Sequence, residues 1–251
     1  MNSFIGWIGG KKLLRNEITK RFPEGIERYI EVFGGAGWVL FSKERHAELE
    51  VYNDANCELV NLFKCIKYHC SELQRELSFM LNSRELFDDF KKQYDVRGMT
   101  DIQKAARFFM IIKTSYGSDT RTYGCIKKNV SVMVKYLEDI QKRLNNVVIE
   151  NKDFENLIKV YDRPKALLFF DPPYYGTERY YQVDFPVSDH ERLCDSLKNI
   201  KGKFILTYNN CEEIKELYKG FVIEEVSRNN NLAGRYSEKN HSYSELIIRN
   251  Y

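Results

Sequence analysis

Seven short apolar runs recur along the chain, and each has the length of a β-strand. Their almost unbroken apolar character is typical of strands that are covered on both faces. Several are followed by helical periodicity, which is the rhythm of a mostly parallel sheet flanked by helices. The predicted strands occupy residues 29–33, 49–52, 147–150, 166–170, 204–207, 222–226 and 245–248.

Two of the connections between these runs are informative. The first run is followed by a glycine-rich turn, after which we expect a helix to begin at about Val39. No helical pattern separates the sixth run from the seventh, so the last strand is expected to join the sheet as an antiparallel partner. The pattern therefore predicts an α/β fold with a seven-stranded, mostly parallel sheet.

A long middle segment, residues 58–145, interrupts this rhythm and is predicted to be helical. Its polar loop at 115–129 is rich in Gly, Thr and Tyr, as expected for a functional loop on a rigid scaffold. We therefore expect an α/β domain made of residues 1–57 and 146–251, with 58–145 inserted as a helical subdomain. The predicted helices of the insert occupy residues 58–68, 70–81, 84–93, 101–114 and 132–144.

The composition is that of a soluble globular protein. With 251 residues, 43% hydrophobic and 30% charged, the chain is long enough to bury a sizeable core. No apolar run approaches the ~20 residues that span a bilayer, and the N-terminus lacks the core of a signal peptide. The six cysteines form no CxxC pair and have no histidine at zinc spacing. We therefore expect reduced thiols, no bound metal, no membrane contact and a cytoplasmic location.

Basic residues are unevenly distributed, although the formal net charge of +3 is too small to predict nucleic-acid binding by itself. One basic cluster lies around the polar loop of the insert and a second lies near the C-terminus. Each cluster alone could equally be a solvated face. The residues are Lys113, Arg121, Lys127 and Lys128 in the first cluster and Arg228, Arg235 and Lys239 in the second.

The run FFDPPYYG, residues 169–176, carries the most specific chemical signal. A predicted buried strand ends just before Asp171, which places a carboxylate at the edge of the sheet where α/β folds bind ligands. Pro172 and Pro173 lack N–H donors and stiffen the loop, so it presents carbonyl oxygens. Tyr174 adds a flat aromatic face. The alternative is a plain Asp-Pro turn at the end of a strand. The other motifs of the chain favour the ligand-binding interpretation.

This combination suits a planar base that carries an exocyclic amino group. Asp171 and the Pro172 carbonyl could each accept one amino hydrogen while Tyr174 stacks on the ring. An amino nitrogen conjugated with an aromatic ring is a poor nucleophile, and two acceptors would direct its lone pair toward a methyl donor. They would also stabilise the positive charge that develops on the nitrogen. Such a reaction needs neither a metal nor a covalent intermediate.

A second signal is YIEVFGGAGWV, residues 29–39, which joins a predicted strand to a glycine loop. Glycines there allow a ligand to touch the backbone. The next predicted strand is followed by Asn53 and Asp54, and an acid at that position typically binds ribose hydroxyls in nucleotide-binding folds. Together they predict a cofactor that carries a nucleoside. A tight packing turn followed by an Asx turn is the alternative.

Two smaller features are ambiguous by themselves. The N-terminal run GWIGGK, residues 6–11, could contact a ligand or be a mobile end. Asp153 follows the third predicted strand, where an acid is more often a helix cap than a ligand-binding group.

Together these motifs resemble those of the Dam-like, α-type DNA adenine methylases. The shared features are DPPY, an N-terminal GGK, an E-x-F-x-G-x-G loop and N-D after the next strand, in the same order. The resemblance implies a Rossmann-like methyltransferase fold, a target-recognition insert and S-adenosylmethionine as cofactor. It assigns catalysis to Asp171, Pro172, Pro173 and Tyr174. It assigns cofactor binding to Trp7, Lys11, Phe33, Gly34, Gly35, Gly37, Asp54, Asp153, Phe154 and Asp171.

By this resemblance the chain is a site-specific enzyme that methylates a flipped-out adenine in double-stranded DNA, acting as a monomer or weak dimer. Relatives that recognise GATC carry an Asn-Arg-Tyr-Gly-Tyr-like run in the insert. Here the corresponding run is KTSYGSDTR, residues 113–121, followed by a shorter loop. The resemblance therefore does not carry GATC over as the target.

DNA contacts are expected from the two basic clusters and from two tyrosines of the insert loop. Arg121 is the candidate for a base contact, because arginine to guanine is the commonest specific pairing. Tyr116 or Tyr123 could wedge into the gap left by the flipped base, or either could pack within the insert. The alternatives for function are methyl transfer to an RNA base, cytosine or a protein glutamine, and a catalytically inactive relative that binds nucleic acid.

Overall fold

The structure, a computed structural model, describes residues 1–94, 96–125, 130–178, 184–228 and 243–251, with the backbone alone at 130, 131, 228 and 243. The strands are β1 (Arg28–Glu31), β2 (Leu49–Asn53), β3 (Val147–Glu150), β4 (Ala166–Phe170), β5 (Lys203–Asn209), β6 (Val222–Arg228) and β7 (Tyr243–Arg249). The helices in these ranges are α1 (Arg15–Lys20), α2 (Cys57–Tyr68), α3 (Cys70–Ser78), α4 (Arg84–Lys92), α5 (Asp101–Thr114), α6 (Val130–Leu144), α7 (Phe154–Tyr161), α8 (Val187–Lys198) and α9 (Glu212–Leu217).

The strands form one sheet in the order β3-β2-β1-β4-β5-β7-β6. The first five strands of this order pair in parallel, whereas β7 is antiparallel to both β5 and β6. The predicted α/β class, the seven-stranded Rossmann-like sheet and the antiparallel last strand are therefore confirmed. Strand order reverses between β1 and β4, and the carboxyl ends of these strands mark the crevice where such sheets bind ligands.

Alternate residues of the central strands enter two separate cores. In β4, Leu167 and Phe169 belong to the core on one face, while Leu168 and Phe170 belong to the core on the other. Helices α2, α3, α5 and α6 contribute to the first core, and α7, α8 and α9 contribute to the second. Coverage of both faces explains why the strand sequences are apolar without alternation.

The helices of the middle segment begin at the predicted positions or within two residues of them, and local capping signals set three of these starts. Thr100 forms a capping box at α5, while Ser83 and Asn56 cap α4 and α2. These helices share the first core with the sheet. Phe63 of α2, for example, stacks on Tyr52 of β2 with ring centroids 3.9 Å apart. The middle segment is thus packed directly on one face of the sheet, and its role in target recognition remains a prediction.

Three further observations bear on the expectations from composition. All six cysteines are free thiols. No helix in the described ranges has both the length and the apolar composition required to cross a bilayer. Within the same ranges, no group of three or more His, Cys, Asp or Glu side chains is arranged to hold a metal ion.

The prediction of a helix that begins at about Val39 is wrong. In its place the chain forms a 3-10 turn, Leu40–Ser42, and becomes extended at Lys43. Arg143 of α6 explains this ending, because it donates to the carbonyls of Leu40 at 2.9 Å and Lys43 at 3.0 Å, which a longer helix would need for itself. The same guanidinium donates two 2.7 Å hydrogen bonds to the buried Glu50 carboxylate of β2. A buried ion pair therefore secures this connection.

Replacing Arg143 with Leu should lower the free energy of unfolding by about 3–5 kcal/mol, because the Glu50 carboxylate would stay buried without its partner. Urea unfolding followed by circular dichroism measures the change. Lys142→Ala is the matched control, since Lys142 is exposed and forms only a surface pair with Asp139, which contributes less than about 1 kcal/mol. An Arg143→Leu protein as stable as this control would rule out the structural role.

Candidate active site

A cavity of about 300 Å³ opens at the carboxyl ends of β1, β2 and β4. It lies at the crevice between β1 and β4, and its volume is typical of a small-molecule site. The N-terminal segment and the loops that follow β1, β2, β3 and β4 line it together. Of the residues predicted for the site, its wall contains Trp7, Lys11, Phe33, Gly34, Gly35, Asp54, Asp153, Phe154, Asp171 and Pro173.

The glycine loop after β1 brings bare backbone to the cavity wall. A Cβ atom at Gly34 would lie 2.2 Å from the Tyr52 ring. Gly35 has a φ of +49°, and a Cβ there would lie 2.8 Å from Trp7 Cδ1. Neither position accommodates a side chain, because Tyr52 and Trp7 pack closely against the glycine backbone there. Gly37 packs against the apolar core instead of contributing to the wall.

The Asp54 carboxylate is fixed at the tip of β2 by backbone donors. Its Oδ2 accepts a hydrogen bond from Gly35 N at 2.8 Å, and its Oδ1 accepts one from Asn56 N at 2.8 Å. Burial raises the pKa of Asp54, and these donors act in the opposite direction. The carboxylate is therefore held in one orientation at the cavity wall.

Aromatic rings form an apolar part of the wall. The Phe33 ring centroid lies 5.9 Å from that of Phe154 and 5.7 Å from that of Phe185. Asp153, beside them, caps α7 through a 3.0 Å hydrogen bond from the first turn and pairs with Arg192 at 2.9 Å. Burial alone would raise the pKa of Asp153, but hydrogen bonds led by that from Arg192 lower it overall. Asp153 is thus a helix cap, which the sequence left open as one of two roles, and it also lies in the cavity wall.

Asp171 is the polar centre of the site. Its Oδ1 lies 2.6 Å from Lys11 Nζ and accepts a 2.7 Å hydrogen bond from Thr207 Oγ1. Among the described residues, none donates to Oδ2. Burial raises the pKa of Asp171, and the Lys11 ammonium opposes that shift. Lys11 is 5% exposed, so the lysine expected to bind cofactor forms a buried ion pair with the carboxylate expected to be catalytic.

The loop that follows this carboxylate is stiff and closely packed. Pro172 and Pro173 are buried, and Tyr174 is half-buried. Lys11 Nζ lies 4.7 Å from the centroid of the Tyr174 ring. The Tyr174 hydroxyl donates a 2.5 Å hydrogen bond to Glu245. Pro172 and Tyr174 lie beside the cavity rather than in its wall.

Three polar residues of this region are missing from the predicted site residues, namely Glu31, Thr207 and Glu245, although Glu31 is the acid of the E-x-F-x-G-x-G loop. Glu31 ends β1 in the cavity wall, and its Oε2 accepts 2.7 Å hydrogen bonds from Tyr29 OH and Leu40 N. Burial raises the pKa of Glu31 to about 8. All three lie in the predicted strands, and a polar residue in an apolar run is the signal that could have identified them.

The described part of the polar loop, residues 115–125, packs against the N-terminal segment beside the cavity wall. Ser118 Oγ is 2.5 Å from the place that a Cβ would take on Gly6, and the neighbouring Trp7 is part of the cavity wall. Tyr116 is 64% exposed and Arg121 is exposed. The loop therefore presents a large aromatic and a cationic side chain to solvent close to the site.

Tyr123 is held within the middle segment instead. Its hydroxyl donates to Asn82 Oδ1 at 3.0 Å, its ring lies 5.6 Å from Phe87, and the Arg84 guanidinium lies 4.9 Å from its ring centroid. Lys113 is half-buried, with Nζ 5.5 Å from the ring centroid of Phe109. The other predicted DNA contacts Lys127, Lys128, Arg235 and Lys239 lie outside the described residues, and Arg228 is described only by its backbone in β6.

Residues 7–232 match the sequence profile of the D12 class N6 adenine-specific DNA methyltransferases. The chain belongs to this family. The type II methyltransferase M.CviBI from Paramecium bursaria Chlorella virus NC1A is 26% identical over an alignment of 270 positions, which covers all of both chains. The retron Ec67 DNA adenine methylase from Escherichia coli is 24% identical over 88% of this chain and 82% of its own. A DNA adenine methylase from Haemophilus influenzae is 21% identical over 97% and 92%, respectively.

Membership of the D12 class confirms the central functional prediction, an adenine-specific DNA methyltransferase. The matched range includes the glycine loop, the middle segment and DPPY. For a methyltransferase of this fold, the family also implies S-adenosylmethionine as the methyl donor.

The stability of the D12-class protein without cofactor should fall between about pH 7 and pH 8, because folding keeps the Glu31 carboxyl protonated up to its raised pKa of about 8. An unfolded chain, with a glutamate pKa of 4.5, has already released that proton, so it binds fewer protons than the folded chain. Thermal unfolding across this window should show a slope that Glu31→Gln largely removes.

Titration of His46 and His190 does not interfere with this measurement. Burial lowers the pKa of His46 and of His190, so their effect on stability is concentrated below the ordinary histidine value of 6.5 and has the opposite sign. A Glu31→Gln protein that kept the wild-type slope would contradict the assignment to Glu31.

Proposed function

We propose that this methyltransferase acts at a defined sequence in duplex DNA, on an adenine extruded from the helix, with Asp171 receiving the amino group. The observation that carries the proposal is the unequal use of the two carboxylate oxygens. Lys11 and Thr207 hold Oδ1. None of the described residues donates to Oδ2, so a ligand could use this oxygen. Extrusion is required because the amino group of a paired adenine lies inside the duplex.

The Asp171 carboxylate would activate the amino nitrogen in two ways. As a hydrogen-bond acceptor, together with the Pro172 carbonyl, it directs the nitrogen lone pair out of conjugation with the ring. Its negative charge also faces the positive charge that develops on the nitrogen during transfer. Because Lys11 and Thr207 hold Oδ1, the carboxylate does not need to reorient, and preorganised charge of this kind is usually the largest contribution to catalysis.

Tyr174 would supply the surface on which the extruded adenine stacks. Its ring is half-buried and its hydroxyl is anchored by Glu245. Stacking of one base on an aromatic side chain contributes ~1–3 kcal/mol. That contribution offsets part of the free energy required to remove the base from the helix.

The cavity fits S-adenosylmethionine in its chemistry. The fixed Asp54 carboxylate suits a pair of ribose hydroxyls, and the Phe33 and Phe154 rings suit a purine. Gly34 and Gly35 lie in the cavity wall, so the cofactor would meet backbone that carries no side chain. The buried Glu31 carboxyl suits an ammonium group. When bound, the cofactor supplies a methyl group on a positively charged sulfur.

We assign DNA contact first to the exposed side chains of the insert loop. Tyr116 is the candidate to fill the gap left by the adenine, because Tyr123 is already engaged with Asn82 and Phe87. Arg121 remains the candidate for a base contact. The packing of this loop against Gly6 would bring it to the DNA as the adenine enters the cavity. These residues support a target-recognition role for 58–145.

The match with M.CviBI supports sequence-specific modification as the activity, because that type II methyltransferase aligns with this chain from end to end. We do not propose GATC as the target, since the run at 113–121 departs from that of GATC-recognising relatives. A monomer in the cytoplasm remains the expectation from the sequence.

Expression of the protein in cells without adenine methylation should place N6-methyladenine at one short sequence, which sequencing that detects modified adenines would identify. Asp171→Ala should reduce modification at least ~100-fold, because it removes the acceptor for the amino group. The variant should still bind DNA, since the proposed DNA contacts are unchanged. Wild-type modification by Asp171→Ala would remove this residue from catalysis. Labelling of RNA or protein but not DNA in parallel assays would overturn the proposed substrate.

Arg121→Ala should relax the sequence choice at one position of the identified site. Loss of a bidentate contact to guanine reduces discrimination by ~1–3 kcal/mol, so methylation of oligonucleotides substituted at that position should approach the rate of the cognate site. The measurement compares initial rates on cognate and singly substituted duplexes. Lys92→Ala is the control, because Lys92 is an exposed cation paired with Asp89 on α4. An unaltered preference in Arg121→Ala would exclude Arg121 from base recognition.

A further inference from the structure

Glu245 is a buried acid whose position is set by the antiparallel last strand. It pairs with Asn209, the last residue of β5, so it lies at the same edge of the sheet as the carboxyl end of β4. The following residues of β7, Leu246, Ile247 and Ile248, are apolar and buried, and Glu245 itself is 4% exposed. A carboxylate at this place costs free energy unless other groups compensate it.

The groups that compensate this carboxylate belong to the proposed base-binding site. Glu245 Oε2 accepts a 2.5 Å hydrogen bond from the Tyr174 hydroxyl and lies 3.8 Å from Lys11 Nζ. Lys11 in turn forms the 2.6 Å ion pair with Asp171. The Lys11 ammonium therefore lies close to two carboxylates, one at the hydroxyl end of the Tyr174 ring and one at the expected reaction centre.

We propose that Glu245 is a positioning residue that fixes the Tyr174 ring for the incoming adenine. The inference rests on the proposed function, since it concerns how the same site captures its base. A tyrosine ring anchored at its hydroxyl loses little further freedom when a base stacks on it. The Tyr174 side chain then loses its conformational entropy during folding rather than during capture of the base.

A double-mutant cycle tests this role directly. Tyr174→Phe keeps the ring and removes the hydroxyl, while Glu245→Met keeps the length of the side chain and removes the acceptor. Each change should lower the single-turnover methylation rate about tenfold, as expected for loss of a hydrogen bond to a charged group. The double variant should be no slower than Glu245→Met alone, because Glu245→Met already removes the hydrogen bond that Tyr174→Phe removes.

Two further readouts separate positioning from a general structural defect. Affinity for S-adenosylmethionine, measured by calorimetry, should be unchanged in every variant, whereas fluorescence of 2-aminopurine at the target position should report weaker extrusion. Glu245→Gln, which can still accept from the hydroxyl, should restore most of the rate and remains informative if Glu245→Met does not fold.

The chain contains a matched control for this interaction. Tyr161 donates a 2.7 Å hydrogen bond to Glu150, which also has a lysine at 3.7 Å, but this pair joins α7 to β3 away from the base-binding site. Tyr161→Phe and Glu150→Met should leave the methylation rate within about twofold of the wild type.

The possible failures are distinguishable. Additive losses in the cycle, a rate in Glu245→Met equal to that of the wild type, or equal losses in the control pair would overturn the positioning role. If the wild-type protein itself transfers no methyl group to DNA, the proposed function fails instead.

Discussion

The buried ion pair between Lys11 and Asp171 is the interaction on which the rest of the site depends. It joins the N-terminal segment to the end of β4 at 2.6 Å and occupies one oxygen of the carboxylate. The other oxygen is thereby directed and left for a ligand. Because breaking one half of a buried pair leaves an uncompensated charge, Lys11 fixes the N-terminal segment firmly to the cavity wall.

Around this pair the cavity concentrates acidic groups, which is unfavourable for folding and suited to the chemistry. Burial raises the pKa of Glu31, Asp54 and Asp171, so the negative charge of each group is disfavoured in the folded protein, and Glu31 keeps its proton up to a pKa of about 8. A cationic cofactor, and a nitrogen that becomes positive during transfer, would both be stabilised by these charges. The site therefore gives up some stability to be complementary to ligands of positive charge.

Packing connects the middle segment to the rest of this fold. The helices of the middle segment share one apolar core with the sheet, so the polar loop they carry has a defined position relative to the cavity. Helix α4 supports that loop, since the Arg84 guanidinium lies over Tyr123 and Lys91 donates to the Arg121 carbonyl at 2.8 Å. Tyr116 of the same loop is exposed. Under the proposed function, DNA bound by this loop would lie close to the cavity.

The sequence by itself determined the strands, most of the helices and the chemical character of the site. Strand and helix periodicity and helix caps act over a few residues, which is why α5 begins and ends where predicted. The DPPY run and the glycine loop are likewise local, and their positions after strands bring them to one edge of a parallel sheet.

Tertiary structure alone decided which polar groups meet. The helix expected near Val39 is absent because Arg143, 103 residues from Leu40, takes the carbonyl that such a helix would use. Tyr174 and Glu245 are 71 residues apart, and no local pattern indicates that they are bonded. Local propensity cannot specify such pairs, because hydrogen bonds and ion pairs depend on distances in space that only the assembled sheet establishes.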